Sequence, residues 1–181
     1  MSSEDVRDVV AAIHDSPVAL VFEFAGAGSL ALHWLHAVAG SSRTVLEATD
    51  RYSQASLSAL LGEVPTPVVS TAVAAAMAEA AWARARELRP DGPVIGLSST
   101  ATIATDRAKR GHHRAVVAWH GGDRSAAHDL VLEKGRRDRA HEEDVVSRLV
   151  INVAAEGCGV SQRVDLDLSG GEAVEVTRVP A

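Results

Sequence analysis

The sequence predicts an α/β domain in which helices cover both faces of a central sheet. Three short apolar runs, at residues 18–22, 43–48 and 94–97, have the length and composition of buried strands. Longer stretches between them have the apolar periodicity or the alanine content of helices. Strands that alternate with helices in this way are typical of layered α/β folds.

The helices are predicted from capping residues and apolar spacing. Ser53 and either Ser70 or Thr71 are the expected N-terminal caps of two of them, and Gly62 is an expected C-terminal stop. The predicted helices cover about residues 3–14, 29–40, 54–61, 71–88 and 139–156.

Two further patterns extend the predicted sheet. Residues 115–119 and 128–132 flank a Gly-Gly pair, which predicts a β-hairpin. Near the C-terminus, apolar and polar residues alternate on both sides of a second Gly-Gly pair, which predicts a C-terminal hairpin or a pair of edge strands. We therefore expect an α/β domain over residues 1–160 and a C-terminal extension over residues 161–181.

Composition and charge argue against several classes of function. A formal net charge of -6 argues against non-specific nucleic-acid binding. The single cysteine, Cys158, cannot form an intramolecular disulfide, and no apolar run is long enough to span a bilayer. The acidic start of the chain does not have the pattern of a signal peptide, so we expect a cytoplasmic protein. The histidines lack metal-ligand spacing, and we expect neither a metal nor a cofactor.

Five motifs between Val21 and Gly157, two of them in two parts, follow one another in the order and at the spacing of a known family. They are EFAGAG at 23–28, VAGSS at 38–42, YSQ and LLG at 52–54 and 60–62, VS and AMAE at 69–70 and 76–79, and GLSST at 96–100. In these segments the chain resembles the C-terminal, nicotinamide-nucleotide amidase domain of the CinA family. That resemblance implies a three-layer α/β/α sandwich with a mixed sheet.

The resemblance also implies a chemistry that this sequence does not keep intact. In typical family members a serine attacks the carboxamide of nicotinamide mononucleotide and releases ammonia, with help from a lysine and a tyrosine. The serine position is Phe24 here and the lysine position is Leu57, whereas Tyr52 remains. The family's glycine-rich turn is replaced by residues 101–104, so the backbone approaches a phosphate less easily there.

Several polar residues are candidates for a rebuilt or non-catalytic site at the ends of the predicted strands. Ser29, Tyr52 and Thr100 are the candidate catalytic residues, although Ser29 also suits a helix cap. Part of a dense basic run, residues 107–114, could clamp a phosphate or could form a solvated loop. The candidate residues for binding a substrate or its phosphate are Gly26, Gly28, Ser98, Ser99, Thr102, Arg107, Lys109 and Arg110.

The leading functional hypothesis is a CinA-like protein that binds a pyridine nucleotide of the nicotinamide mononucleotide class, with weak or altered amidohydrolase activity left open. One alternative is a non-catalytic regulatory or assembly module, in which the alanine-rich helix packs across a homodimer interface. Another is a hydrolase of a different small substrate that uses Ser29 or Thr100. The expected partner is a nucleotide or another phosphorylated small molecule, and neither nucleic acid nor a membrane.

Overall fold

The computed structural model describes residues 3–106 and 111–180. Helices and strands alternate along most of this length, as the sequence predicts. In chain order they are α1 (Ser3–Asp15), β1 (Ala19–Ala25), α2 (Ser29–Ala37), α3 (Ser41–Thr44), β2 (Val45–Asp50), α4 (Gln54–Leu61), α5 (Thr71–Leu88), β3 (Val94–Thr102), β4 (His113–His120), β5 (Arg124–Leu132), α6 (Arg139–Gly157) and β6 (Ala173–Pro180).

The strands form one mixed sheet in the order β2-β1-β3-β4-β5-β6. Strand β1 is parallel to both of its neighbours, and the pairs from β3 to β6 are antiparallel. Side chains of α1, α2 and α6 pack on one face of this sheet and those of α5 on the other. The predicted three-layer α/β/α sandwich with a mixed sheet is confirmed.

Helix α5 lies unusually close to the sheet because its inward-facing side chains are mostly alanine. Ala74, Ala78, Ala81 and Ala85 are fully buried against the strands. At Gly96 of β3, an added Cβ atom would lie 2.0 Å from the Ala78 carbonyl oxygen, so only glycine fits. The buried alanines therefore pack within the chain, and whether the outer face of α5 forms a dimer interface stays a prediction.

Two predicted strands differ from the observed ones. Residues 43–44 belong to the short helix α3, because Thr44 is drawn into the core as a partner of the buried His14 ring, with His14 Nδ1 2.8 Å from Thr44 Oγ1. Strand β3 continues to Thr102, beyond the predicted strand end at residue 97. Ser98 Oγ donates to the Ala74 carbonyl of α5 and Ser99 Oγ to the Ala27 carbonyl of the β1–α2 loop, which lets a hydroxyl-rich segment stay extended.

The C-terminal segment contributes one edge strand, β6, instead of the hairpin or strand pair predicted. Residues 160–168 form no strand, and the backbone of Val164 in this segment bonds to α6. Asn152 Nδ2 donates to the Val164 carbonyl at 2.7 Å, and Asn152 Oδ1 accepts from the Val164 amide at 2.7 Å. The Val164 side chain is thereby held in the core.

Candidate functional site

A cleft of about 330 Å³ opens at the carboxyl ends of the parallel strands β1 and β3. This is the edge at which open α/β sheets bind ligands. The cleft lies between the β1–α2 loop, the start of α4 and the end of β3. It is lined by Ala25, Gly26, Arg51, Tyr52, Ser53, Gln54, Leu57, Val68, Thr100, Ala101, Thr102, Ile103, Thr105 and Arg139.

The shape of the cleft depends on a close approach of two backbone segments at Gly26. Gly26 has φ +92, and a Cβ atom added there would lie 2.2 Å from the Ala101 carbonyl oxygen. Only glycine fits this left-handed conformation and this spacing. The loop that carries Gly26 is therefore held against the end of β3, and it forms one wall of the cleft.

Tyr52 is the most exposed aromatic residue at this edge, with 71% of its surface accessible. It follows β2 and precedes α4, whose N-terminal cap is Ser53: Ser53 Oγ accepts from the Ser56 amide at 3.1 Å. Capping fixes the start of α4 and hence the position of the tyrosine beside it. The ring is left free to cover a flat ligand group.

The hydroxyl candidates on β3 divide into buried and cleft-lining residues. Ser98 Oγ donates to the Ala74 carbonyl at 2.7 Å, and Ser99 Oγ donates to the Ala27 carbonyl at 3.1 Å. Both side chains are fully buried and satisfied, and neither lines the cleft. Thr100 and Thr102 line it, although Thr100 Oγ1 donates to the Val68 carbonyl at 3.2 Å.

A smaller recess of about 80 Å³ adjoins the cleft and shares Gly26, Tyr52 and Arg139 with it. Asp50 and Glu143 line this recess together with Ser29. Burial raises the pKa of the Asp50 carboxyl, a hydrogen bond from the Tyr52 backbone opposes that rise, and the negative charge of Glu143 adds to it.

The N-terminus of α2, where the sequence suggests an anion or an oxyanion, already holds a carboxylate. Glu143 Oε1 accepts from the Gly28 amide at 3.0 Å, the Leu30 amide at 3.1 Å and Ser29 Oγ at 3.0 Å. Ser147 Oγ is a fourth donor to the same oxygen, at 3.3 Å. A negative group at a helix N-terminus is stabilised by the free amides and the dipole, so Glu143 takes the role that a bound anion would take.

Two arginines that the sequence does not single out contribute to the cleft. Arg51 Nε lies 2.7 Å from Oε2 of the buried Glu23, and Arg51 Nη2 lies 3.2 Å from Oε1. This bidentate pair raises the pKa of the Arg51 guanidinium against the opposing effect of burial. Arg139, at the start of α6, donates to the Ala104 carbonyl at 3.0 Å. No local pattern marks either arginine, because their partners are far away in the chain.

Arg107, Lys109 and Arg110 of the basic run lie outside the described residues. The flanks of this segment are both bonded to the buried Glu142 of α6. Glu142 Oε2 accepts from the Ala104 amide at 2.7 Å, and Glu142 Oε1 lies 2.7 Å from His113 Nδ1. Thr105 lines the cleft, so the chain enters the basic run from the rim of the cleft.

No protein-family model and no curated protein sequence matches the chain. Solved structures do match it. The competence/damage inducible protein CihA from Agrobacterium tumefaciens superposes with a TM-score of 0.63 at 19% identity, over 84% of this chain and 93% of its own. A CinA superfamily protein from Klebsiella pneumoniae gives a TM-score of 0.68 at 12% identity, over 88% of this chain and 99% of its own. The fold is CinA-like.

A third structure, a CinA superfamily protein from Escherichia coli, agrees with a TM-score of 0.56 at 16% identity, over 88% of this chain and 90% of its own. Identities this low establish the CinA-like fold alone.

The two positions that the resemblance aligns with the serine and the lysine of the amidase are both apolar and buried. Phe24 is 6% exposed, and its ring stacks on Phe22 at a centroid distance of 4.9 Å. Leu57 is 3% exposed and packs beside Ala25 and Met77 at the floor of the cleft. Neither position offers a nucleophile or a base, so a serine–lysine mechanism has no groups to use there.

Within residues 3–106 and 111–180, no helix is both long enough and apolar enough to cross a bilayer. Within the same ranges, no three His, Cys, Asp or Glu side chains converge as metal ligands.

Proposed function

We propose that this CinA-like protein binds a pyridine nucleotide of the nicotinamide mononucleotide class in the cleft beside Tyr52, without hydrolysing it by a serine–lysine mechanism. The observation that carries this proposal is the cleft itself. It is open at the ligand-binding edge of the sheet, and Phe24 and Leu57 stand where the resemblance expects the serine and the lysine of an amidase.

The lining of the cleft suits a ligand that has both an aromatic ring and an anionic group. Tyr52 offers an exposed aromatic face, and Thr102 also lines the cleft. Arg139 and Arg51 also line the cleft, and Arg51 is paired with the buried Glu23. A volume of about 330 Å³ falls at the lower end of small-ligand sites, which suits a mononucleotide.

The alternative in which Ser29 or Thr100 acts as a nucleophile receives less support. Ser29 Oγ does lie 3.0 Å from a carboxylate oxygen, but Glu143 Oε1 also accepts from two backbone amides and from Ser147. This geometry fits a helix cap better than a base held ready for proton transfer. Thr100 is 1% exposed and donates to the Val68 carbonyl, so its oxygen is poorly placed to attack a substrate.

A nucleotide panel tests the proposal. The midpoint of thermal unfolding would be followed with increasing nicotinamide mononucleotide, nicotinate mononucleotide, adenosine monophosphate and inorganic phosphate. A ligand that binds the native state alone raises this midpoint as its concentration exceeds its Kd. We expect the two pyridine nucleotides to stabilise the protein more than the other two compounds do, and ammonia release from nicotinamide mononucleotide to be negligible. Equal unfolding midpoints with all four compounds would contradict the binding proposal. Ammonia release at the rate of a serine–lysine amidase would contradict the proposal that this mechanism is absent.

A further inference from the structure

A second cleft, of about 260 Å³, lies at the opposite end of the sheet, at the amino ends of β1 and β3. The turn that follows α5, the β4–β5 turn and the end of α6 form its rim. It is lined by Val18, Trp82, Arg86, Gly92, Pro93, Val94, Ile95, Trp119, Gly121, Asp123, Arg124 and Gly157. It shares no residue with the Tyr52 cleft.

Two indole rings line this second cleft, Trp82 from α5 and Trp119 from β4. The backbone of a glycine lies close to each ring. A Cβ atom added at Gly121 would lie 3.1 Å from Trp119 Cζ3, and one added at Gly122 would lie 3.2 Å from Trp82 Cζ2. Trp82 also meets the His120 ring edge-on at a centroid distance of 5.1 Å. Trp82 is half-buried and Trp119 is only 6% exposed, so most of the aromatic surface that the cleft offers to a flat apolar group is that of Trp82.

Two arginines border the same aromatic surfaces. Arg86 is exposed on α5, and the guanidinium carbon of Arg124 lies 5.8 Å from the centroid of the Trp119 ring. Within residues 3–106 and 111–180, neither arginine forms a salt bridge, whereas Arg51, Arg84 and Arg114 all do. An arginine without a carboxylate partner remains available for a carboxylate from outside the chain.

We propose that this second cleft binds a small planar aromatic carboxylate, with the ring against the indoles and the carboxylate between Arg86 and Arg124. The Asp123 carboxylate at the rim balances one of the two positive charges, which favours a monoanion over a phosphate dianion. The volume suits one or two fused rings. This proposal is independent of the proposed function, because the two clefts lie at opposite ends of the sheet.

The indole N–H signals of the ¹⁵N-labelled protein provide the test. The chain has three tryptophans, and Trp34 of α2 lines neither cleft, so its signal is an internal reference. Trp82→Phe and Trp34→Phe variants assign the signals. Benzoate and 2-naphthoate are the probes, and benzamide is the neutral control. We expect saturable shifts of the Trp82 and Trp119 signals with both carboxylates, and affinity for benzamide lower by on the order of tenfold.

Charge variants complete the experiment. Arg86→Gln with Arg124→Gln should weaken carboxylate binding by on the order of tenfold or more. Arg7→Gln with Arg136→Gln removes the same charge from two exposed positions outside the cleft and should leave the affinity unchanged. The proposal is overturned if no carboxylate produces a saturable shift, if benzamide binds equally well, if Trp34 shifts with the other two, or if the first double variant keeps full affinity. The spectrum itself shows whether each variant is folded.

Discussion

Glu143 and Ser29 are joined across the β1–α2 loop: Glu143 Oε1 lies 3.0 Å from Ser29 Oγ and accepts from the two backbone amides on either side of that serine. A carboxylate from α6 therefore caps α2 from outside. This contact ties the loop that carries Gly26 to the opposite helix, and it keeps external anions away from the α2 N-terminus.

Replacing Glu143 should destabilise the fold. Glu143→Ala leaves the first amides of α2 without an acceptor, so we expect the free energy of unfolding to fall by about 1–2 kcal/mol. Urea unfolding measures this change. The control is Asp144→Ala on the same helix, which removes an (i, i+4) pair with Arg148 and should cost about 0.5 kcal/mol or less. Sulfate should stabilise Glu143→Ala more than it stabilises the wild type, since the vacated amides can bind it. Equal stability of the two variants would contradict the cap.

Phe24→Ser should not recreate an amidase and should damage the core. The ring is buried and stacked on Phe22, so its loss leaves a cavity and costs about 3–5 kcal/mol. Phe24→Leu is the matched control, because it keeps most of the apolar volume and should cost less than half as much. Calorimetric melting of both variants checks this prediction. A serine variant as stable as the wild type would show that position 24 does not belong to the core.

The stability of the C-terminal segment should depend on pH through Glu172. Burial alone would raise the pKa of this carboxyl, but hydrogen bonds from Arg137, Ser169 and the Glu133 amide outweigh it and lower the pKa to about 2. Because the pKa is lower in the folded chain than its ordinary value of 4.5, ionised Glu172 stabilises the fold above about pH 4.5. That stabilisation is lost as the pH falls from about 4.5 towards about 2.

Melting curves of the wild type and Glu172→Gln as a function of pH measure this effect. The variant should melt at a lower temperature than the wild type at pH 7, and the difference should shrink as the pH approaches 2. Glu63→Gln, at an exposed position, is the control and should show little difference at any pH. A gap between wild type and Glu172→Gln that is the same at both ends of the pH range would contradict the assignment.

The basic run beyond Thr105 is expected to contribute to ligand binding. Lys109→Glu with Arg110→Glu should weaken the binding of a phosphorylated ligand by more than tenfold, about 1.4 kcal/mol, if these side chains contact the phosphate. The fold is expected to survive both substitutions. Calorimetric titration alongside circular dichroism is the measurement. Unchanged affinity in the folded variant would remove the run from the site.

Local patterns in the sequence predict most of the helices and strands. Ser53 and Ser70 cap α4 and α5 as predicted, because a capping side chain bonds to amides only a few residues away. The sequence does not predict that residues 43–44 belong to a helix or that β3 extends to Thr102. Both features depend on contacts between residues that are far apart in the chain. The His14 ring and the Ala27 and Ala74 carbonyls are distant in the chain from the residues that they bond.

The sequence predicts the location of the candidate site better than it predicts which residues line it. Gly26, Tyr52, Thr100 and Thr102 line the cleft at the sheet edge to which the sequence points. Arg51, Arg139 and Glu143 could not be found in this way, because each gains its role from a partner on another element. Sequence periodicity reports which face of an element is buried, and it does not report which polar side chains meet across the sheet.

Calorimetric titration of nicotinamide mononucleotide into the wild type and Tyr52→Ala tests the central claim most directly. Val176→Ala, which shortens an exposed side chain on β6 away from the cleft, is the control. We predict saturable binding to the wild type and to the control, and affinity weaker by on the order of tenfold in Tyr52→Ala, because the ring of the ligand loses its stacking surface. No binding to the wild type, or equal affinity in Tyr52→Ala, would contradict a pyridine-nucleotide site in this cleft.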